Sequence, residues 1–135
     1  MRRIAIGVLL ALLMVTPAFA WEWKTIQKSY TTLGTNQEVL AVGSAYYCVV
    51  EQVEIVNYGL TDTVIKLHWE GAASETNRIC PEFTAEAECG GRIYDKLWVM
   101  SDTKGQDIDI DLSASTTSVK VWIKYMLTPV KISPR

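Results

Sequence analysis

Val119-Lys-Val-Trp-Ile-Lys-Tyr-Met126 has a two-residue period. Val119, Val121, Ile123 and Tyr125 alternate with Lys120, Trp122, Lys124 and Met126, which is the pattern of a pleated strand and not of a helix. The same period runs upstream. Ile108, Ile110 and Leu112 alternate with Asp107, Asp109 and Asp111, and Ile65, Leu67 and Trp69 alternate with Lys66, His68 and Glu70. Val49 to Val56 and Tyr94 to Met100 are denser apolar runs, suited to strands covered on both faces.

Turn chemistry separates these runs: Gly34-Thr-Asn36, Asn57-Tyr-Gly59, Gly71, Gly90-Gly91, Asp102 to Gly105 and Ser113 to Ser118. Seven or eight strands are predicted, near 22–30, 37–43, 47–57, 63–70, 76–80, 92–101, 106–112 and 118–127. Only a helical turn fits at 72–77 or 82–88. Short strands at this spacing predict an all-β fold: a single antiparallel β-sandwich over residues 21–128, jelly-roll or immunoglobulin-like. Pro129 and Pro134 end the last strand and leave a short extended tail over 129–135.

If 106–112 and 118–127 form a hairpin, Ile110 faces Val121 and Leu112 faces Val119, with Asp111 opposite Lys120 and Asp107 opposite Lys124. That hairpin is the local expectation for neighbouring runs. The segment from Trp21 to Lys28 alternates like an edge strand, and pairing with its own sheet is the simplest use of it.

Ahead of the sandwich stand Arg2-Arg3, twelve apolar residues from Ile4 to Val15, Pro17 and Ala18-Phe-Ala20. A basic start, a short apolar run and an A-x-A site predict a cleaved signal peptide over 1–20. The run spans about 18 Å as a helix, short of a bilayer core of about 30 Å. The mature chain is therefore expected to be secreted, periplasmic or extracellular, without a membrane span. Removing the first twenty residues takes away two of the 13 Lys and Arg and none of the 15 Asp and Glu, so the net charge moves from −2 to −4. An acidic chain with no basic cluster argues against nucleic acid as a partner.

Three cysteines suit an oxidising compartment but are odd in number. Cys80 and Cys89 bracket eight residues, and a disulfide closing that ten-residue loop is the expected pairing, leaving Cys48 as a buried thiol. A zinc site is not expected, because His68 is the only histidine and no C-x-x-C spacing occurs. Asp107-x-Asp109-x-Asp111 places carboxylates about 6.8 Å apart along one strand face. Calcium needs six to eight converging oxygens, and a straight row splays them, so lysines on a neighbouring strand are the better explanation.

No catalytic residue, metal or cofactor is predicted. Glu82, Glu86 and Glu88 fall in a solvated loop, His68 is expected outward on its strand, and no G-x-S-x-G accompanies it. Gly90-Gly91 precedes a strand and lacks the helix that a phosphate loop needs.

The aromatics carry the functional reading. Five Trp, six Tyr and Phe83 fall within the mature chain. Trp69 shares a face with Ile65 and Leu67 and belongs to the core, but Trp98 and Trp122 fall on nominally polar faces, and Trp21 and Trp23 begin the mature chain. Trp21, Trp23, Trp98, Trp122 and Phe83 are thus the candidate binding residues. The reading they support is a non-enzymatic exported sandwich working by self-assembly or protein contact, as a surface or extracellular structural subunit. An alternative is a carbohydrate-binding or adhesive module using exposed Trp and Tyr. A further alternative is an enzyme inhibitor presenting the 80–89 loop with Phe83 at its tip.

Overall fold

The computed structural model describes residues 22–115 and 118–133. The expected leader and Trp21 lie outside the described residues. Nine strands follow in order: β1 (Lys24–Tyr30), β2 (Gly34–Leu40), β3 (Tyr47–Asn57), β4 (Thr63–Trp69), β5 (Phe83–Ala85), β6 (Gly90–Tyr94), β7 (Val99–Met100), β8 (Ile108–Leu112) and β9 (Val119–Thr128). Every pairing is antiparallel. No helix among the described residues is long and apolar enough to cross a membrane.

The pairs nest. β1 lies on β9, β2 on β8, β3 on β6 and β7, and β4 on β5, as in one long hairpin. Rolling that hairpin adds the contacts β3·β9 and β4·β8 and closes two sheets, β1-β9-β3-β6 (sheet A) and β2-β8-β4-β5 (sheet B). This nested, rolled order makes the sandwich a jelly roll. β7 continues the β6 edge of β3.

The inward residues follow the alternation read from the sequence. Val119, Val121 and Ile123 of β9 face Ile108, Ile110 and Leu112 of β8 across the core, joined by Val50, Val53, Ile55, Ile65, Leu67 and Trp69. The local hairpin between residues 106–112 and 118–127 does not form. β8 and β9 sit in opposite sheets, and their connection crosses the sandwich. Two strands with matched apolar faces can lie side by side or stack face to face. Here stacking buries both faces at once, which side-by-side pairing alone cannot do. The salt-bridge partners change accordingly. Lys124 Nζ meets Glu51 Oε2 at 2.6 Å, Asp111 of β8 turns to the Asn36 amide of β2, and Asp107, just before β8, turns to the Val42 amide just after β2.

Two predicted strands differ in detail. Residues 76–80 contribute a single bridge, Arg78 to His68, where the chain runs in towards β5. The run 92–101 is broken into β6 and β7, because Lys96 and Trp98 adopt left-handed conformations at φ 55° and 49°. β1 pairs with its own sheet over seven residues, as expected from the simplest use of that segment. The pair Gly90-Gly91, read as a turn signal, also serves close packing: a side chain at Gly91 would collide with the Ile55 carbonyl on β3.

The expected Cys80–Cys89 disulfide is corrected by the structure, in which all three cysteines are free thiols. Cys80 is buried in the core beneath the approach to β5, whereas Cys89 is exposed in the connection from β5 to β6. Between them β5 pairs with sheet B, so the segment is a strand crossing between sheets and not a closed loop. Burial pushes the thiols of Cys48 and Cys80 up to about 12, keeping both protonated and unreactive.

Candidate functional site

The outer face of sheet A holds two adjacent cross-strand rows. Gln27, Trp122 and Glu54 form one, and Thr25, Lys124 and Gln52 form the next. Two residues separate the rows along each strand, about 6.8 Å. Thr25, Gln52, Glu54, Trp122 and Lys124 line a shallow depression of about 190 Å³. That is smaller than the roughly 300–1,000 Å³ of a drug-sized pocket, and suits a single ring.

A bulge in β3 organises this face. The register shifts between Val50 and Gln52, so one extra residue, Glu51, is accommodated opposite β9. The Glu51 carboxylate takes the Lys124 ammonium, and its carbonyl accepts the Leu97 backbone N–H at 2.9 Å. The first contact fixes Lys124. The second ties down the loop that carries Trp98. Lys124 is also held 5.5 Å from the centre of the Trp23 ring.

Trp23 enters from the β1 edge and Trp98 from the β7 edge, yet their rings meet at 5.4 Å, edge to face. With strands about 4.8 Å apart, that contact is reachable only above the strands between them, β9 and β3. Directly in that row lie Met126 and Val49, each 2% exposed although they point away from the core. The tryptophan pair is therefore a roof over a second, smaller apolar cluster. Trp98 stays 42% exposed on its upper side and holds a left-handed backbone to reach its place. For a bulky residue that conformation costs roughly 1–3 kcal/mol, a strain the surrounding packing must offset.

The candidate residues thus separate. Trp23 and Trp98 come together, Trp122 lines the depression beyond Lys124, and Trp21 lies outside the described residues. Phe83 is corrected: it does not sit at a loop tip. It is buried in β5 and packs on Tyr94 at 6.1 Å, because pairing with Ile65 points it inward.

The loops at one end form a second region. They lie side by side, with Leu33 N–H directed at Ser115 Oγ, Tyr58 N–H donating to the Ser118 carbonyl, and Glu88 N–H donating to the Gly59 carbonyl. Buried Asn57 organises the centre. Its amide donates to the carbonyls of Thr61 and Ala85, and its oxygen accepts from Gly59 N–H. At this end Leu33 is 60% and Leu60 74% exposed, and the Lys120 ammonium lies 5.2 Å from the centre of the Tyr58 ring. Sequence patterning missed this end, since isolated leucines in loops carry no period. The usable signal was two apolar residues inside turn-forming segments.

On the outer face of sheet B the expectation of an exposed His68 is corrected. The ring is fully buried, with Nδ1 2.9 Å from the Trp69 carbonyl and Nε2 3.1 Å from Asp111 Oδ1. Both nitrogens face protein oxygens and the ring is fully enclosed, so His68 has no access to a substrate. Asp111 Oδ1 also accepts Asn36 N–H at 2.7 Å, and Asp107 Oδ1 accepts Val42 N–H at 2.6 Å. β2 shifts register twice against β8, and Asp111 satisfies the Asn36 amide inside the first of these irregularities. Burial raises the pKa of Asp109, opposed by His68 and reinforced by Asp107, Glu70 and Glu38. Among the described residues no three metal-ligating side chains converge.

Fold and surface together define an all-β jelly roll with an aromatic outer face and an apolar loop end. No protein family and no curated protein matches the chain. Solved structures resemble it in outline. The capsid of Helicobacter pylori bacteriophage KHP30 aligns at TM-score 0.46 and 11% identity over 82% of this chain and 90% of that one. The cyanophage Pam1 capsid aligns at 0.41 and 13%, over 79% and 84%. Tobacco streak virus coat protein aligns at 0.40 and 9%, over 89% and 94%. The jelly-roll assignment rests on the strand order, not on these likenesses.

Proposed function

We propose that this chain is an exported structural subunit that works without catalysis, by assembling with copies of itself through its loop end. The observation that carries this reading is the exposure of Leu33 and Leu60 on loops each hydrogen-bonded to a neighbouring segment, Leu33 to Ser115 and Tyr58 to Ser118. Apolar side chains that stay in water are stabilised by burial, by about 1.5–3 kcal/mol for each leucine fully covered. Loops already ordered lose little further entropy on contact, so most of that gain is kept. Export is the reading of residues 1–20, and an assembly built outside the cytosol agrees with it.

The test uses the full chain, expressed with its leader and purified from the exported fraction. Terminal sequencing should begin at Trp21, and light scattering at tens of micromolar should give a multiple of the protomer mass. The double variant Leu33→Glu, Leu60→Glu should fall to monomers with an unchanged melting temperature. A monomeric mature chain at millimolar concentration, or a double variant that still assembles, sinks the reading.

A further inference from the structure

We infer that the depression around Trp122 is a binding subsite for one pyranose ring of a neutral glycan. This surface lies on the outer face of sheet A, away from the loop end, and the inference does not depend on self-assembly. The ligand follows from the chemistry of the two rows. Trp122 offers an aromatic side chain in a depression sized for one ring. One face of a pyranose is lined with C–H groups of slight positive charge, which are attracted to the negative face of an indole. Its hydroxyls project from the ring edge and need partners that both donate and accept.

The rim supplies them. The Thr25 hydroxyl and the Gln52 amide each donate and accept, the Glu54 carboxylate accepts, and the Lys124 ammonium donates. The register fixes their spacing, with Glu54 beside Trp122 and with Thr25 and Gln52 on either side of Lys124. Preorganisation comes from the bulge, where Glu51 and the Trp23 ring hold Lys124 in place.

Other ligands fit less well. A nucleic-acid base also stacks on tryptophan, but its phosphates need uncompensated cations, and Lys124 is neutralised by Glu51. An apolar group would strip water from Glu54 and Gln52 without replacing their hydrogen bonds. Trp98 and Trp23 are assigned to the roof over Met126 and Val49, not to the ligand. A single shallow subsite implies weak binding, with Kd of about 1–10 mM for a short oligosaccharide and tighter apparent binding only through several copies.

The experiment titrates the mature protein with cellobiose, maltose, lactose and chitobiose while following tryptophan fluorescence and the Trp122 indole N–H by NMR. At least one sugar should give saturable shifts at Trp122 and its row neighbours, Gln27 and Glu54. Trp122→Ala should abolish the response, and Gln52→Ala should weaken it about tenfold. The partly buried rim variant Gln52→Ala covers the case in which Trp122→Ala fails to fold. Silence across all four sugars, or a response that survives loss of Trp122, overturns the inference. Running the titration also on the Leu33→Glu, Leu60→Glu variant separates the two readings, because a monomer that still binds sugar defeats neither.

Discussion

The two outer faces of this sandwich are built from the same alternation and end in opposite states. On sheet B the polar side chains turn inward on their own scaffold: Asp111 holds the Asn36 amide of β2, Asp107 holds the Val42 amide just beyond it, and Asp111 also holds the buried His68 ring. On sheet A the outward residues leave a surface, with Trp23 and Trp98 roofing an apolar cluster and Trp122 lining an open depression. Irregularity explains much of the difference. A register shift between β2 and β8 leaves the Asn36 amide to the Asp111 carboxylate, while the β3 bulge uses its extra residue to anchor a lysine and a loop. A charged row is thus no better guide to a site than an aromatic one until its hydrogen bonds have been traced.

The sharpest way to break the comparison is His68→Ala. It leaves a void at a fully buried position and strips a partner from the Trp69 carbonyl and the Asp111 carboxylate. The expected loss is about 2–4 kcal/mol by urea denaturation. A loss under half a kilocalorie would mean that sheet B does not depend on this interior network.

Trp98→Ala should act more mildly, at about 1–3 kcal/mol, because it removes an edge-to-face pair and bares Met126 and Val49 but leaves the main core intact. Tryptophan fluorescence should shift as Trp23 gains solvent, and the protein should remain folded. A variant as stable as the parent would show that the two rings do not form a roof.

The smallest expected effect is at Asp109. Its folded pKa lies above the ordinary value of 3.8, so the folded state holds this proton more tightly than the unfolded chain. Its contribution to stability is therefore fully present below that ordinary value and is lost as pH rises through the raised folded value. Asp109→Asn should flatten this part of the profile, measured as melting temperature against pH. An unchanged slope would place Asp109 in a wetter setting than its burial indicates.

Legibility followed the physics of each feature. Inward residues such as Ile65, Leu67, Ile110 and Val121 were readable because the pleat is local and repeats every two residues. His68 shows the limit of that rule. Its face was read correctly, but its burial came from Asp111 on another strand and from the Trp69 carbonyl. Phe83 and the Cys80–Cys89 loop were misread for a related reason: three residues are too short to show a period, and only pairing with β4 makes β5 a strand. Trp122 was singled out as an outward aromatic, whereas the partnership of Trp23 with Trp98 depended on strands distant in sequence.

From its residues alone the chain determined that it would fold as strands, which side chains of each strand would face inward, and where most turns would fall. Those properties reside in a few consecutive peptide units and their φ/ψ preferences. Tertiary structure decided which strand lies beside which, and with it the split of β8 and β9 between sheets and the row of groups around Trp122. Neighbours in a sheet are chosen by how much apolar surface the whole arrangement buries, and no single stretch of chain encodes that sum.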